Sequence, residues 1–153
     1  MALRKIITEG DPILNKVSRN VERFDARLAG IIEDLIDTLA EAKGVGLAAV
    51  QVGILRRIVV VNTGENYIEL VNPEIVEIQG EQEAEEGCLS LPGQSGITLR
   101  PAVVKLKAQD RKGKWHVYKR EELLARCFCH EIDHLNGILF TKHVIRPVEE
   151  DQA

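Results

Sequence analysis

The alternation of apolar and polar positions sorts this chain into a few kinds of element. Over residues 25–42, Leu28, Ile31, Ile32, Leu35, Ile36 and Leu39 recur at helical spacing, while Glu33, Asp34, Asp37 and Glu41 face away. That stretch predicts an amphipathic scaffold helix, stopped at Gly44. Ahead of it, residues 6–12 read as a short strand or extended arm that enters one helical turn at Pro12. The middle of the chain is β-rich. Residues 57–61, 68–71 and 75–78 predict strands, with turns at 64–66 and at Asn72 and Pro73. Val104, Leu106 and Ala108 alternate with Lys105, Lys107 and Gln109. Residues 110–113 turn that half-exposed strand into a hairpin partner at 115–118, with His116 facing solvent. Residues 138–140 predict a last short strand, and 149–153 a frayed polar tail.

One helix breaks its own pattern. Residues 123–135 place Leu123, Leu124, Cys127, Phe128, Ile132 and Leu135 on one arc, with Arg126, Cys129 and Asp133 opposite and Asn136 and Gly137 closing the C-terminus. His130, Glu131 and His134 lie within or beside the apolar arc. A carboxylate aimed at a core is costly unless something compensates it. Two imidazoles four residues apart, with a glutamate directly after the first, compensate it as a divalent-metal site. His130 and His134 would hold the ion, and Glu131 would face its water.

Composition narrows the setting. With 44% hydrophobic and 29% charged residues, the 153-residue chain reads as one ordinary globular domain spanning 1–153. Acidic residues outnumber basic ones 24 to 20, and a net charge of −4 makes no electrostatic case for nucleic acid. No apolar run approaches the ~18 residues that span a bilayer, and the first five residues lead into no signal-peptide core. Three cysteines without framework spacing point to a reducing, cytoplasmic location.

A catalytic metal site usually takes three protein ligands and leaves one position for water. Downstream candidates are poor: Phe140 stands where an extended HExxH motif would put a third histidine, and His143 comes three residues later. Cys129 lies on the far arc. Cys127 shares the helix with both histidines, a geometry that does not converge readily on one ion, and reads as a pocket wall. Cys88 belongs to a separate segment and allows tetrahedral closure with His130, His134 and water.

Three segments carry a resemblance to a known family. Gly44-Val45-Gly46-Leu47-Ala48-Ala49-Val50-Gln51, Glu86-Gly87-Cys88-Leu89-Ser90 and His130-Glu131-Ile132-Asp133-His134 are similar, in order and spacing, to the signature motifs of peptide deformylases. The resemblance implies an α+β fold with small antiparallel β-sheets packed around a central metal-binding helix, plus an N-terminal scaffold helix. It implies a hydrolase that removes the N-formyl group from the initiator methionine of nascent polypeptides and releases formate. Carried over, Cys88, His130 and His134 are metal ligands and Glu131 is the acid/base. Gln51 and the Leu89 backbone N–H become oxyanion donors. Val45, Gly46, Leu123, Arg126 and Cys127 border the substrate pocket. Family members favour Fe(II), with Zn, Ni or Co also able to occupy the site. N-formylmethionyl peptides are the implied partner, and the ribosome near its exit tunnel a further one.

The sequence departs from the family in places. Val50 stands where many members carry proline, and residues 93–96 form a loop without the basic residue some relatives use. The tail after His143 lacks the long helix some bacterial members dock on the ribosome. Asp133 is a candidate partner for Arg100. Two other readings stay open on the residues alone: an HExxH peptidase, and a non-catalytic metal-binding domain.

Overall fold

A computed structural model of the chain describes residues 2–148. Helix α1 (Ala26–Ala42) is capped by Asp25, whose carboxylate accepts the Leu28 N–H at 3.1 Å. It buries Leu28, Ile32, Leu35 and Leu39. The helix ends at Ala42 as expected, and the residue that takes the left-handed conformation there is Lys43, with φ 56°, rather than Gly44. Gly44 meets a packing demand instead: a Cβ there would sit 2.9 Å from Leu89 Cδ1.

The strands form two antiparallel sheets. β1 (Gly46–Ala48), β2 (Ile58–Asn62), β3 (Tyr67–Gln79), β6 (Val103–Gln109) and β7 (Trp115–Glu121) make a five-stranded sheet in the order β1-β2-β3-β6-β7. β4 (Gln82–Cys88), β5 (Leu91–Arg100) and β8 (Val144–Arg146) make the second, in the order β4-β5-β8. Strand β2 is buried on both faces. Ile58 and Val60 join the α1-side core with Leu35 and Leu39, while Val59 and Val61 join the core of helix α2 (Glu122–Leu135) with Phe128 and Leu135. The unbroken apolar run at 58–61 follows from this two-sided burial.

Five expectations need correction. Residues 68–78 form one bulged strand rather than two. Asn72 takes φ 51°, and its side chain replaces the lost ladder bonds by pairing with the backbone of Val21 and with Gln109. Pro73, which has no N–H to offer a ladder, sits at that bulge. The expected 93–96 loop lies inside β5, paired with β4. After α2, the chain makes a 3-10 turn at Phe140–His143 and only then the short strand β8. Cys129 is buried, because β5 brings Arg100 against the polar side of α2, where it meets Asp133 at 2.7 Å. His116, expected in solvent, is half-buried and bonds Asp110 at 2.8 Å.

The N-terminal arm is extended, as expected, and enters a capped 3-10 turn at Pro12–Asn15. Its Ile7 N–H donates to Gln51 O and its Glu9 N–H to Ser90 O, so it straps together the two segments that carry those residues. The predicted tail at 149–153 lies outside the described residues.

Candidate metal centre and active site

Helix α2 supplies the floor of the site. Nine of its residues, including His130, Glu131 and His134, are buried, since sheets flank it on both sides. β4 ends at Cys88 directly opposite. The ligating atoms of Cys88, His130 and His134 all lie within 4.8 Å of one another, and Cys88 Sγ is 3.2 Å from His134 Nε2. The Ser90 backbone N–H also points at that sulfur, at 3.4 Å.

The groups behind these atoms differ. His130 Nδ1 bonds Glu86 Oε2 at 2.6 Å, which leaves its Nε2 on the side of the cluster. Glu86 also accepts from Thr98 Oγ1 and from the Arg100 guanidinium in a bidentate fork. Burial disfavours its charge, yet the hydrogen bonds from His130 and Arg100 win and hold it down at about 2. His134 Nδ1 is buried with no hydrogen-bond partner, and so is Glu131 Oε1. Burial pushes the Glu131 carboxyl up to about 7, against the pull of His130. That value suits a group that must both take and give a proton near neutrality. Burial and the neighbouring His130 push the His134 imidazole down to about 3, so it is neutral and its nitrogen can ligate. A sulfur and two imidazoles, one kept neutral by its surroundings, are a donor set that fits a divalent transition metal.

A cavity of about 340 Å³ opens beside the cluster. Val45, Gly46, Leu123, Arg126 and Cys127 all line it, as do Gln51, Leu89, His130 and Glu131. Gly46 is needed there: a Cβ would lie 2.7 Å from Cys127 Sγ and 2.9 Å from Glu131 Oε2. Arg126 holds the rim, donating to Gln82 Oε1 at 3.0 Å. Gln51 is fixed at both ends of its amide. Its Oε1 accepts the Ala48 N–H at 2.9 Å, and its Nε2 donates to Ser90 Oγ at 3.1 Å and sits 3.7 Å from Cys88 Sγ. The outermost strands of the two sheets, β1 and β4, both line this cleft.

Among the groups directly behind the donors, sequence reasoning missed Glu86. Its signal was present, since one of two adjacent glutamates in a strand must face inward. The strand itself, with glutamate at four of residues 81–86, showed no apolar alternation to reveal it.

Comparison with known proteins agrees with this geometry. The family model for polypeptide deformylase matches residues 3–150. A peptide deformylase of Caldicellulosiruptor bescii is 55% identical over 152 residues, covering 99% of this chain and 92% of that protein. One from Alkaliphilus metalliredigens is 54% identical over 146 residues, covering 95% of this chain and 99% of that protein. The crystal structure of a peptide deformylase from Legionella pneumophila superposes with a TM-score of 0.91 at 46% identity, covering 94% of this chain and 86% of that one. By fold, by site and by likeness along nearly its whole length, the chain belongs to the polypeptide deformylase family, metal-dependent hydrolases that take the formyl group off the N-terminal methionine of nascent polypeptides.

Proposed function

We propose that Cys88, His130 and His134 hold one divalent ion, natively Fe(II), with Zn, Ni or Co as substitutes, and that residues 1–153 act as one catalytic domain. Once held there, such an ion would supply Lewis acidity to the formyl carbonyl and would lower the pKa of the attacking water. Glu131 takes that water's proton and returns it to the departing amine, a transfer its raised pKa supports. The Gln51 side-chain amide, with the Leu89 backbone N–H, donates to the oxyanion that develops. Gln51 is suited to this because the Ala48 N–H fixes which end of its amide faces the sulfur. The extended peptide lies between the outer strands β1 and β4 and pairs with the backbone at Val45 and Gly46. Its methionine side chain fills the apolar part of the cavity beside Val45, Leu123 and Cys127, with the Arg126 stem at the rim. The protein works in the cytoplasm on N-formylmethionyl chains leaving the ribosome.

The observation that carries this reading is a buried carboxylate with a bare oxygen beside three convergent donors at the wall of a cavity. Formate release from a formyl-Met peptide tests it, with Glu131→Ala as the comparison. The expected loss is about 10²–10⁴-fold in kcat with metal content unchanged. Casein cleavage without formate release would replace this reading with that of a peptidase.

A further inference from the structure

The turn that follows α2 reaches the metal centre by two routes. Phe140, 2% exposed, stacks on the His130 ring with centroids 6.0 Å apart and planes 26° from parallel. Three residues on, His143 Nε2 lies 3.1 Å from Asp133 Oδ2. The same oxygen accepts Arg100 Nη1 at 2.7 Å, and Arg100 grips Glu86 through Nε and Nη2 at 3.1 and 2.8 Å. Glu86 in turn receives His130 Nδ1 at 2.6 Å. Side-chain exposure falls along this path from 39% at His143 through 19% at Asp133 to 4% at Arg100 and 5% at Glu86. A bidentate guanidinium cannot rotate without losing both bonds, and a carboxylate that holds Nδ1–H fixes which ring nitrogen remains bare. His134 Nδ1, by contrast, has no such partner.

We propose that the turn Phe140–His143 is a positioning device for the metal centre: His143, acting through Asp133, Arg100 and Glu86, fixes the tautomer and orientation of His130. Lying outside the three signature segments, His143 would thus set how firmly the ion is held without touching it. The proposal rests on reading Cys88, His130 and His134 as the ligands.

The test is release of Co(II) from the full-length protein into excess chelator, followed by its visible spectrum. His143→Leu should release cobalt about 3–10-fold faster, less than the ~10–100-fold typical for loss of a directly bonded partner, which is the expectation for Glu86→Gln. His143→Gln, whose amide nitrogen can still donate to Asp133, should stay within about twofold of the parent on the same scale. Arg146→Ala, which breaks an exposed pair with Glu83 in the same C-terminal stretch, should leave release unchanged. In a Glu86→Gln background, His143→Leu should have no further effect, because the path is already cut. Equal release from parent and His143→Leu overturns the proposal, as does an unabated His143→Leu effect without Glu86. Parent protein that takes up no cobalt overturns the ligand reading and the proposal together, so the two failures are distinct. Should His143→Leu fail to fold, His143→Ser reads the same quantity.

Discussion

Gln51 and Arg100 show how single side chains divide the work of this site. Gln51 is held where the oxyanion role proposed above needs it, and removing one donor of that kind typically costs about 10²–10³ in kcat. Gln51→Ala should therefore slow formate release by that factor while metal analysis still finds the ion. Full activity in a metal-loaded Gln51→Ala protein would remove it from the mechanism. Arg100 is held for structure, almost fully buried between Glu86 and Asp133. Arg100→Met should cost roughly 3–5 kcal/mol, the range for orphaning a buried charge partner, measured as a shift in the urea midpoint at neutral pH. The donor trio and Glu131 were legible in the sequence because chemistry restricts which residues can stand at those spacings. The pairing of Arg100 with Asp133 was anticipated as well. Glu86 and His143 were not: the partners Thr98 and Arg100 reach Glu86 only when β5 folds back against it, and nothing in the sequence ties His143 to Asp133 across the turn that follows α2.

At the scale of elements, legibility followed burial. Strand β2 and helix α1 announce themselves through apolar residues that pack on a core. Strands β4 and β5 do not, since one is rich in glutamate and the other carries glycine and proline in its first half. The β6–β7 hairpin was found from its turn, where Asp110 accepts from the Lys112 and Lys114 N–H groups and meets His116. The His116 hydrogen bond, helped by those backbone donors and only partly opposed by burial, lowers the Asp110 pKa below its ordinary value of 3.8. A carboxyl depressed in the folded state contributes stability above its unfolded pKa and loses it as pH falls through the folded one. The gap in Tm between the parent and Asp110→Ala should accordingly be widest near neutral pH and close below about pH 4. A gap that stays constant on acidification would show that the turn is held by backbone alone.

For the molecule as a whole, the three donors bring α2 and β4 of the second sheet together, beside the pairs Glu86–His130, Gln82–Arg126 and Arg100–Asp133. An ion that binds only the folded chain stabilises it by about 2.7 kcal/mol at a free concentration 100 times its Kd. Chelation should lower Tm and abolish formate release together, and re-addition of Ni or Fe(II) should restore both. An unchanged Tm after complete metal removal would mean that the junction stands without the ion. The two outermost strands that border the cleft have a last consequence for what the enzyme can discriminate. On the backbone pairing proposed above, a guest held by its amides and carbonyls would be gripped the same way whatever residues follow its first one. Selection would then fall on the capped end and on a single sunken side chain.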